Sequence, residues 1–233
     1  MTGSFGLAYV PGVIPGKWVR IWQERCPEVP LNLVQVPAAE AADLVRDRAT
    51  DVVLLRLPAD TTGLHAIPLY TETTVVVIPK DHHLAAADQL SEEDLADEVV
   101  LHPLDDTLGW ARPPGRAAIQ RPATTGDAVE LVAAGAGVLV VPQSLARLHH
   151  RRDLTYRPIA GLPESRVALS WLEDETTDQV DLFIGIVRGR TVNSTRGRQA
   201  PPASKRPEAK PANATRRTGA SRGRKRGQSR RRG

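Results

Sequence analysis

The stretch Thr124–Pro142, T-T-G-D-A-V-E-L-V-A-A-G-A-G-V-L-V-V-P, constrains this chain more than any other. It reads as a helix, a stop and a buried strand. Asp127 is placed to cap the helix, and Glu130 three residues on would complete a capping box. Val129, Leu131, Val132 and the alanines fill about two turns. Gly135 stands where a left-handed helix end is expected, and Gly137 allows a sharp change of direction. Val138–Val141 is a continuous apolar run bounded by Pro142, the pattern of a strand covered on both faces. A helix feeding such a strand belongs in an α/β sheet. The start of that helix has N–H groups without helical partners, which suits an anionic ligand.

The chain before this unit repeats the alternation. Phe5–Val10 reads as a strand, Pro11–Gly16 as a turn, and Lys17–Arg25 as a helix with Trp18, Ile21 and Trp22 on one stripe. Leu31–Val36 is a second strand, Ala38–Ala49 a helix, and Val52–Leu55 after Asp51 a third, buried strand. Strand, helix, strand, helix, strand predicts a parallel sheet with right-handed crossovers. Leu64–Tyr70 and Glu72–Pro79 follow, and Thr73–Ile78 has the highest strand propensity in the chain. Leu90–Leu95 reads as a short helix capped by Ser91, and Val99–His102 as a strand. Ser144 is expected to cap a helix over Leu145–His149. Leu154–Pro158 and Arg166–Leu172 read as strands, and Val180–Val187 as the last helix.

Charge divides the chain in two. Residues 188–233 carry 16 of the 31 Lys and Arg and one of the 27 acidic residues, Glu208; the body keeps 15 basic and 26 acidic residues. The tail is therefore +15 and the body −11. With few apolar groups to bury, residues 190–233 are expected to be disordered. The one cysteine, Cys26, excludes an intrachain disulfide and reads as a packing residue rather than a nucleophile. No apolar run reaches the roughly 18–20 residues of a membrane span, and the first residues lack a secretory h-region. A soluble, cytoplasmic protein with no membrane contact is the expectation.

Four stretches, in order, resemble the effector-binding (substrate-binding) domain of LysR-type transcriptional regulators. They are F-G-L-A-Y-V-P-G-V-I-P-G-K-W, D-V-V-L-L-R-L, L-Y-T-E-T-T-V-V-V-I-P-K-D-H-H-L-A and E-L-V-A-A-G-A-G-V-L-V-V-P. The third is similar to the family's strand leading into P-x-x-H-P-L, and the fourth is the most specific. The resemblance implies a two-lobed α/β fold like that of type 2 periplasmic binding proteins, over residues 1–189. Lobe I is expected over about 1–79 and 168–189 and lobe II over about 80–167, with crossings near Pro79-Lys80 and Val167–Ser170. It implies a small-molecule effector in the interlobe cleft and pairing of the domains into a homodimer. Family members begin with a winged helix-turn-helix. The present sequence opens in the effector-domain pattern and shows no helix-turn-helix, so DNA reading by that route is expected to be absent.

The candidate effector contacts are Pro11, Gly12, Val13 and Ile14, where family members often place a Ser or Thr and this chain offers backbone donors. Thr124 and Thr125 at the helix start, and Leu57, Pro58 and Tyr70 where the matched pattern lines the pocket, complete the set. Each has a plain structural alternative as a turn, cap or packing residue. Few charges fall at these places, so a lightly polar pocket is expected.

Catalytic and cofactor motifs are missing. Gly135-Ala136-Gly137 follows a helix and precedes a strand, the reverse of a dinucleotide fingerprint. There is no G-x-S-x-G or S-x-x-K sequence. His82-His83 and His149-His150 are adjacent pairs whose side chains are expected to diverge, with no Cys or carboxylate at ligand spacing. No enzyme, cofactor or metal is expected. The tail end, A-S-R-G-R-K-R-G-Q-S-R-R-R-G, supports a second reading. Arg222, Arg224, Lys225, Arg226, Arg230, Arg231 and Arg232 would bind DNA or RNA non-specifically and with strong salt dependence, the folded body serving as a dimerisation module. Arg222-Gly223-Arg224 lacks the proline of an AT-hook.

Overall fold

The computed structural model describes residues 3–190. The expected disordered tail and the candidate nucleic-acid contacts from Arg222 to Arg232 lie outside the described residues. The elements are β1 (Phe5–Tyr9), α1 (Gly16–Arg25), β2 (Leu31–Gln35), α2 (Ala41–Arg46), β3 (Val52–Leu57), β4 (Leu64–Glu72), β5 (Thr74–Pro79), β6 (Val99–Leu101), β7 (Arg116–Ala117), α3 (Thr125–Ala133), β8 (Val138–Pro142), α4 (Gln143–Leu148), β9 (Leu154–Pro158), β10 (Ser165–Leu172) and α5 (Asp178–Val187). No helix among the described residues is long and apolar enough to cross a membrane.

Two five-stranded sheets result, ordered β2-β1-β3-β10-β4 and β7-β6-β8-β5-β9. The opening alternation forms parallel ladders, with β1 between β2 and β3. β10 then joins antiparallel to both β3 and β4. In the second sheet β6 runs parallel to β7 and β8, while β5 is antiparallel to β8 and β9. Each sheet, with its helices, is one lobe.

The chain crosses between lobes at Thr73, between β4 and β5, and again over residues 159–164, between β9 and β10. The crossings expected near Pro79-Lys80 and Val167–Ser170 are corrected accordingly. β5 belongs to the second lobe, and Val167–Ser170 lies inside β10. Strand propensity says that Thr73–Ile78 pairs; it does not say with which sheet.

The first lobe has one continuous apolar core, in which Phe5 stacks on Trp22 at 4.3 Å and Phe183 lies 5.3 Å from Phe5. This trio welds β1, α1 and α5 together. Cys26 is half-buried beside them. The second sheet has a core on each face, as the run V-V-V-I in β5 requires. Val75 and Val77 face α3 and α4, whereas Val76 and Ile78 face Leu84, Leu90 and Leu95 on the other side.

Several local expectations change. α2 is shorter than Ala38–Ala49 because residues 38–40 form a turn after Pro37, and Arg48 adopts left-handed backbone at φ 58° beyond its end. Ser91 does not cap a helix; its hydroxyl donates to Asp94 beside a single tight turn, Glu93–Leu95. The cap of α3 is Thr124, not Asp127. Thr124 Oγ1 accepts from the Asp127 N–H at 3.1 Å, and Asp127 returns the bond to the Thr124 N–H at 3.1 Å. The capping box is thus one turn-position earlier than Asp127–Glu130. At Gly137, φ is 155° and a Cβ would strike the Val99 carbonyl oxygen, so the close pass of α3–β8 over β6 requires glycine.

Candidate functional site

Between the lobes lies a cavity of about 400 Å³. The first lobe supplies Pro11 after β1, Gln35 to Ala38 after β2, and Arg56 on β3; the second supplies Asp105, Thr107, Thr124, Thr125, Leu145 and His149. Parallel strands place their following loops on one edge of the sheet, and here both lobes turn that edge toward the cleft.

The polar groups converge at the start of α3. Thr125 Oγ1 donates to the Asp105 carboxylate at 2.9 Å. Among the described residues, the N–H groups of Thr125 and Gly126 have no hydrogen-bond partner, as expected for a first helical turn. His149 packs its ring over Gly126, where a Cβ would lie 3.3 Å from Cε1. Thr107 Oγ1 is buried without a partner among the described residues. The helix start is not the open anion site the sequence suggests, because Asp105 and Asp127 both stand against it and offset its partial positive charge.

The floor of the cleft is an ion pair. Arg56 Nε donates to Glu72 Oε2 at 2.6 Å, and both side chains are at least 95% buried, with 2% and 5% exposed. Arg56 also donates through Nη1 to the Pro11 carbonyl at 2.6 Å and through Nη2 to Ser144 Oγ at 2.9 Å. Ser165 Oγ donates to Glu72 at 3.1 Å. A longer bond from Nη2 to Glu72 Oε1 at 3.4 Å brings the engaged guanidinium N–H groups to four of five and leaves one Nη1–H. Ser144 sits inside the first turn of α4 rather than capping it, because its hydroxyl is taken by Arg56.

A second recess of about 440 Å³ lies beside Ser144 and Glu72, lined also by Gly12, Ile14, Trp18 and Tyr70. Burial and the Glu72 carboxylate push the Tyr70 phenol up, so it remains a neutral donor. The sequence candidates thus separate. Pro11, Thr124 and Thr125 line the main cavity; Gly12, Ile14 and Tyr70 line the recess. Val13 lines neither and is a core residue, 3% exposed, beside the exposed Ile14 in the turn. Leu57 packs on the first core, and Pro58 lies against Gly109, so neither reaches the main cavity. Arg56, Asp105, Thr107, Ser144 and His149 were not among the candidates.

The histidines also depart from expectation. His82 and His83 converge: their Nε2 atoms lie 3.5 and 3.6 Å from the two oxygens of Glu98. His82 caps in extended conformation and His83 opens the single tight turn His83–Ala86, so neither the strand nor the α-helix spacing behind the divergence argument applies.

Residues 5–191 match the model of the LysR substrate binding domain. A probable hydrogen peroxide-inducible genes activator of Mycobacterium avium is 34% identical over 153 residues, covering 62% of this chain and 49% of the relative. The chain thus spans about half the length of the curated relatives it matches. Among solved structures, the BenM effector binding domain with its effector benzoate superposes with a TM-score of 0.68 at 16% identity, covering 86% of this chain and 96% of that one. A variant of Corynebacterium glutamicum OxyR bound to H2O2 gives 0.66 at 25% identity, covering 81% and 65%. With the match extending over both sheets and the cleft between them, the chain belongs to the LysR substrate binding domain family.

Proposed function

We propose that residues 5–191 form a sensing module that binds a small organic effector in the interlobe cavity and reports it by a change in lobe contact, within a transcription regulator. One observation carries this reading: a cavity of about 400 Å³ walled by both lobes, with Asp105, Thr107 and the start of α3 in its lining. That volume suits a small ligand. Pro11, Val36, Pro37, Ala38 and Leu145 offer an apolar wall, and the polar groups gather at one end. Nothing in the cavity is arranged to cut or transfer a group; a binding role needs only the donors and acceptors described.

The effector is a small, uncharged molecule carrying both a donor and an acceptor. Its acceptor takes the N–H groups of Thr125 and Gly126 or the Arg56 Nη1–H; its donor faces Asp105. A carboxylate such as the benzoate of the BenM structure would meet Asp105 without a free counter-charge, since Arg56 is neutralised by Glu72. A peroxide signal read through a thiol pair is not supported, because the one cysteine, Cys26, belongs to the first-lobe core.

Thermal denaturation of the full chain against matched amide, alcohol and carboxylate panels tests this. Ligand at about 100 times its dissociation constant adds roughly 2.7 kcal/mol when only the folded state binds. Stabilisation that survives Leu145→Trp, which fills the cavity, would sink the proposal. The pairing of copies implied by the family is supported by β2, an edge strand with Leu33 and Val34 exposed. Sedimentation of the full chain checks it.

A further inference from the structure

The second lobe carries a cluster outside the cleft that the sensing reading does not use. His82 and His83 follow β5, and Glu98 precedes β6. β5 begins at the lobe crossing and runs away from it, and β6 runs back toward the cleft loop holding Asp105 and Thr107. The cluster therefore sits at the far end of the second sheet from the effector cavity.

We propose that His82, His83 and Glu98 form a binding site for a divalent transition-metal ion, with zinc as the ion it fits best. All three ligand atoms lie within 4.8 Å of one another. The two imidazole Nε2 atoms face separate oxygens of one carboxylate, at 3.5 and 3.6 Å. Ligands held about 2.0–2.1 Å from a tetrahedral zinc stand about 3.3–3.4 Å apart, whereas a facial octahedral site requires about 3.0 Å. The two imidazole–carboxylate separations lie nearer the tetrahedral value, and the three ligand atoms, all within 4.8 Å of one another, close in on loading.

Three features support a built site. Glu98 is largely buried, with 18% of its side chain exposed, and among the described residues no donor hydrogen-bonds to its carboxylate, which has only the two imidazoles beside it. The two rings lean together with centroids 4.5 Å apart, so their donor atoms point to one place. His83, 71% exposed, opens the site to solvent and leaves the fourth position for water. Coordination through His82 Nε2 puts its proton on Nδ1, so the 3.3 Å bond that Nδ1 accepts from the Leu84 N–H is given up on loading. The ion replaces it by tying the exit of β5 to the entry of β6.

The test is titration of the full metal-free chain with cobalt(II), read by the visible absorption of tetrahedral cobalt, followed by displacement with zinc. One equivalent is expected to bind and to be displaced. His83→Ala and Glu98→Gln are each expected to weaken binding at least about tenfold, and the exposed His150→Ala variant to leave it unchanged. Absence of the tetrahedral band, equal binding by His83→Ala, or loss in the His150→Ala variant overturns the proposal. Circular dichroism of each variant without metal accompanies the titration; should Glu98→Gln fail to fold, the exposed His83→Ala decides alone.

Discussion

Arg56 Nη2 donates to Ser144 Oγ at 2.9 Å, joining β3 of the first lobe to α4 of the second. The same guanidinium is fixed from behind by Glu72, which is fixed in turn by Ser165. One buried network thus positions the cavity wall and spans the gap between the lobes. Its members come from β3, β4, β10 and α4.

Removing one partner of this pair strands the other. Arg56→Met leaves Glu72 charged and enclosed, and is expected to cost about 3–5 kcal/mol in urea denaturation. Arg56→Met combined with Glu72→Leu is expected to recover most of that loss, because two buried desolvation costs disappear together. A double variant as unstable as the single one would show that the network matters for something besides its charges.

Ser144→Ala keeps the ion pair and deletes the hydrogen bond from Arg56 across the lobes. Hydrogen bonds to charged groups contribute about 1.5–3 kcal/mol. Amide hydrogen exchange is expected to accelerate in α4 and around Pro11, while β5 and β8 stay protected. Unchanged protection in α4 would mean that the lobes are held elsewhere.

Asp105→Asn removes the negative charge beside the α3 start and leaves an amide that still accepts from Thr125. The helix N-terminus then favours anions by about 0.3–1 kcal/mol. Calorimetry with matched amide and carboxylate ligands is expected to shift in favour of the carboxylate. A preference that does not move would place the ligand's polar end away from Asp105.

Burial pushes the Cys26 thiol up, against a smaller lowering by Arg25. The folded chain therefore holds less thiolate than the unfolded chain at any pH below its folded value. Iodoacetamide is expected to react more slowly with the native protein than with the urea-unfolded one near neutral pH. The sign for stability follows: the contribution is present below the ordinary thiol value and is lost as pH rises through the raised one. Equal alkylation rates in the two states would contradict the placement of Cys26 against the first core.

The cleft was legible in part. Thr124 and Thr125 could be placed because a helix start is marked by local side chains, and Pro11 because it ends a strand in the family pattern. Arg56 carries a signal in the sequence: a lone charge inside V-V-L-L-R-L needs a buried partner. Asp105 and Thr107 gave none, since the loop holding them has no periodicity. Val13 and Ile14 are adjacent in one turn, and composition does not say which of them faces inward. His82 and His83 met Glu98 through the pairing of β6 with β8 and of β8 with β5, which brings two loop ends together.

By itself the amino-acid order determined the elements, the α/β class and the family, because helix caps, apolar runs and glycine stops act over a few residues and survive in any tertiary setting. Only the folded arrangement decided which sheet β5 joins, which carboxylate meets Arg56, and which loops share a cavity wall. Those outcomes depend on strand partners and side-chain contacts tens of residues apart, where many pairings satisfy the same local pattern and packing selects one.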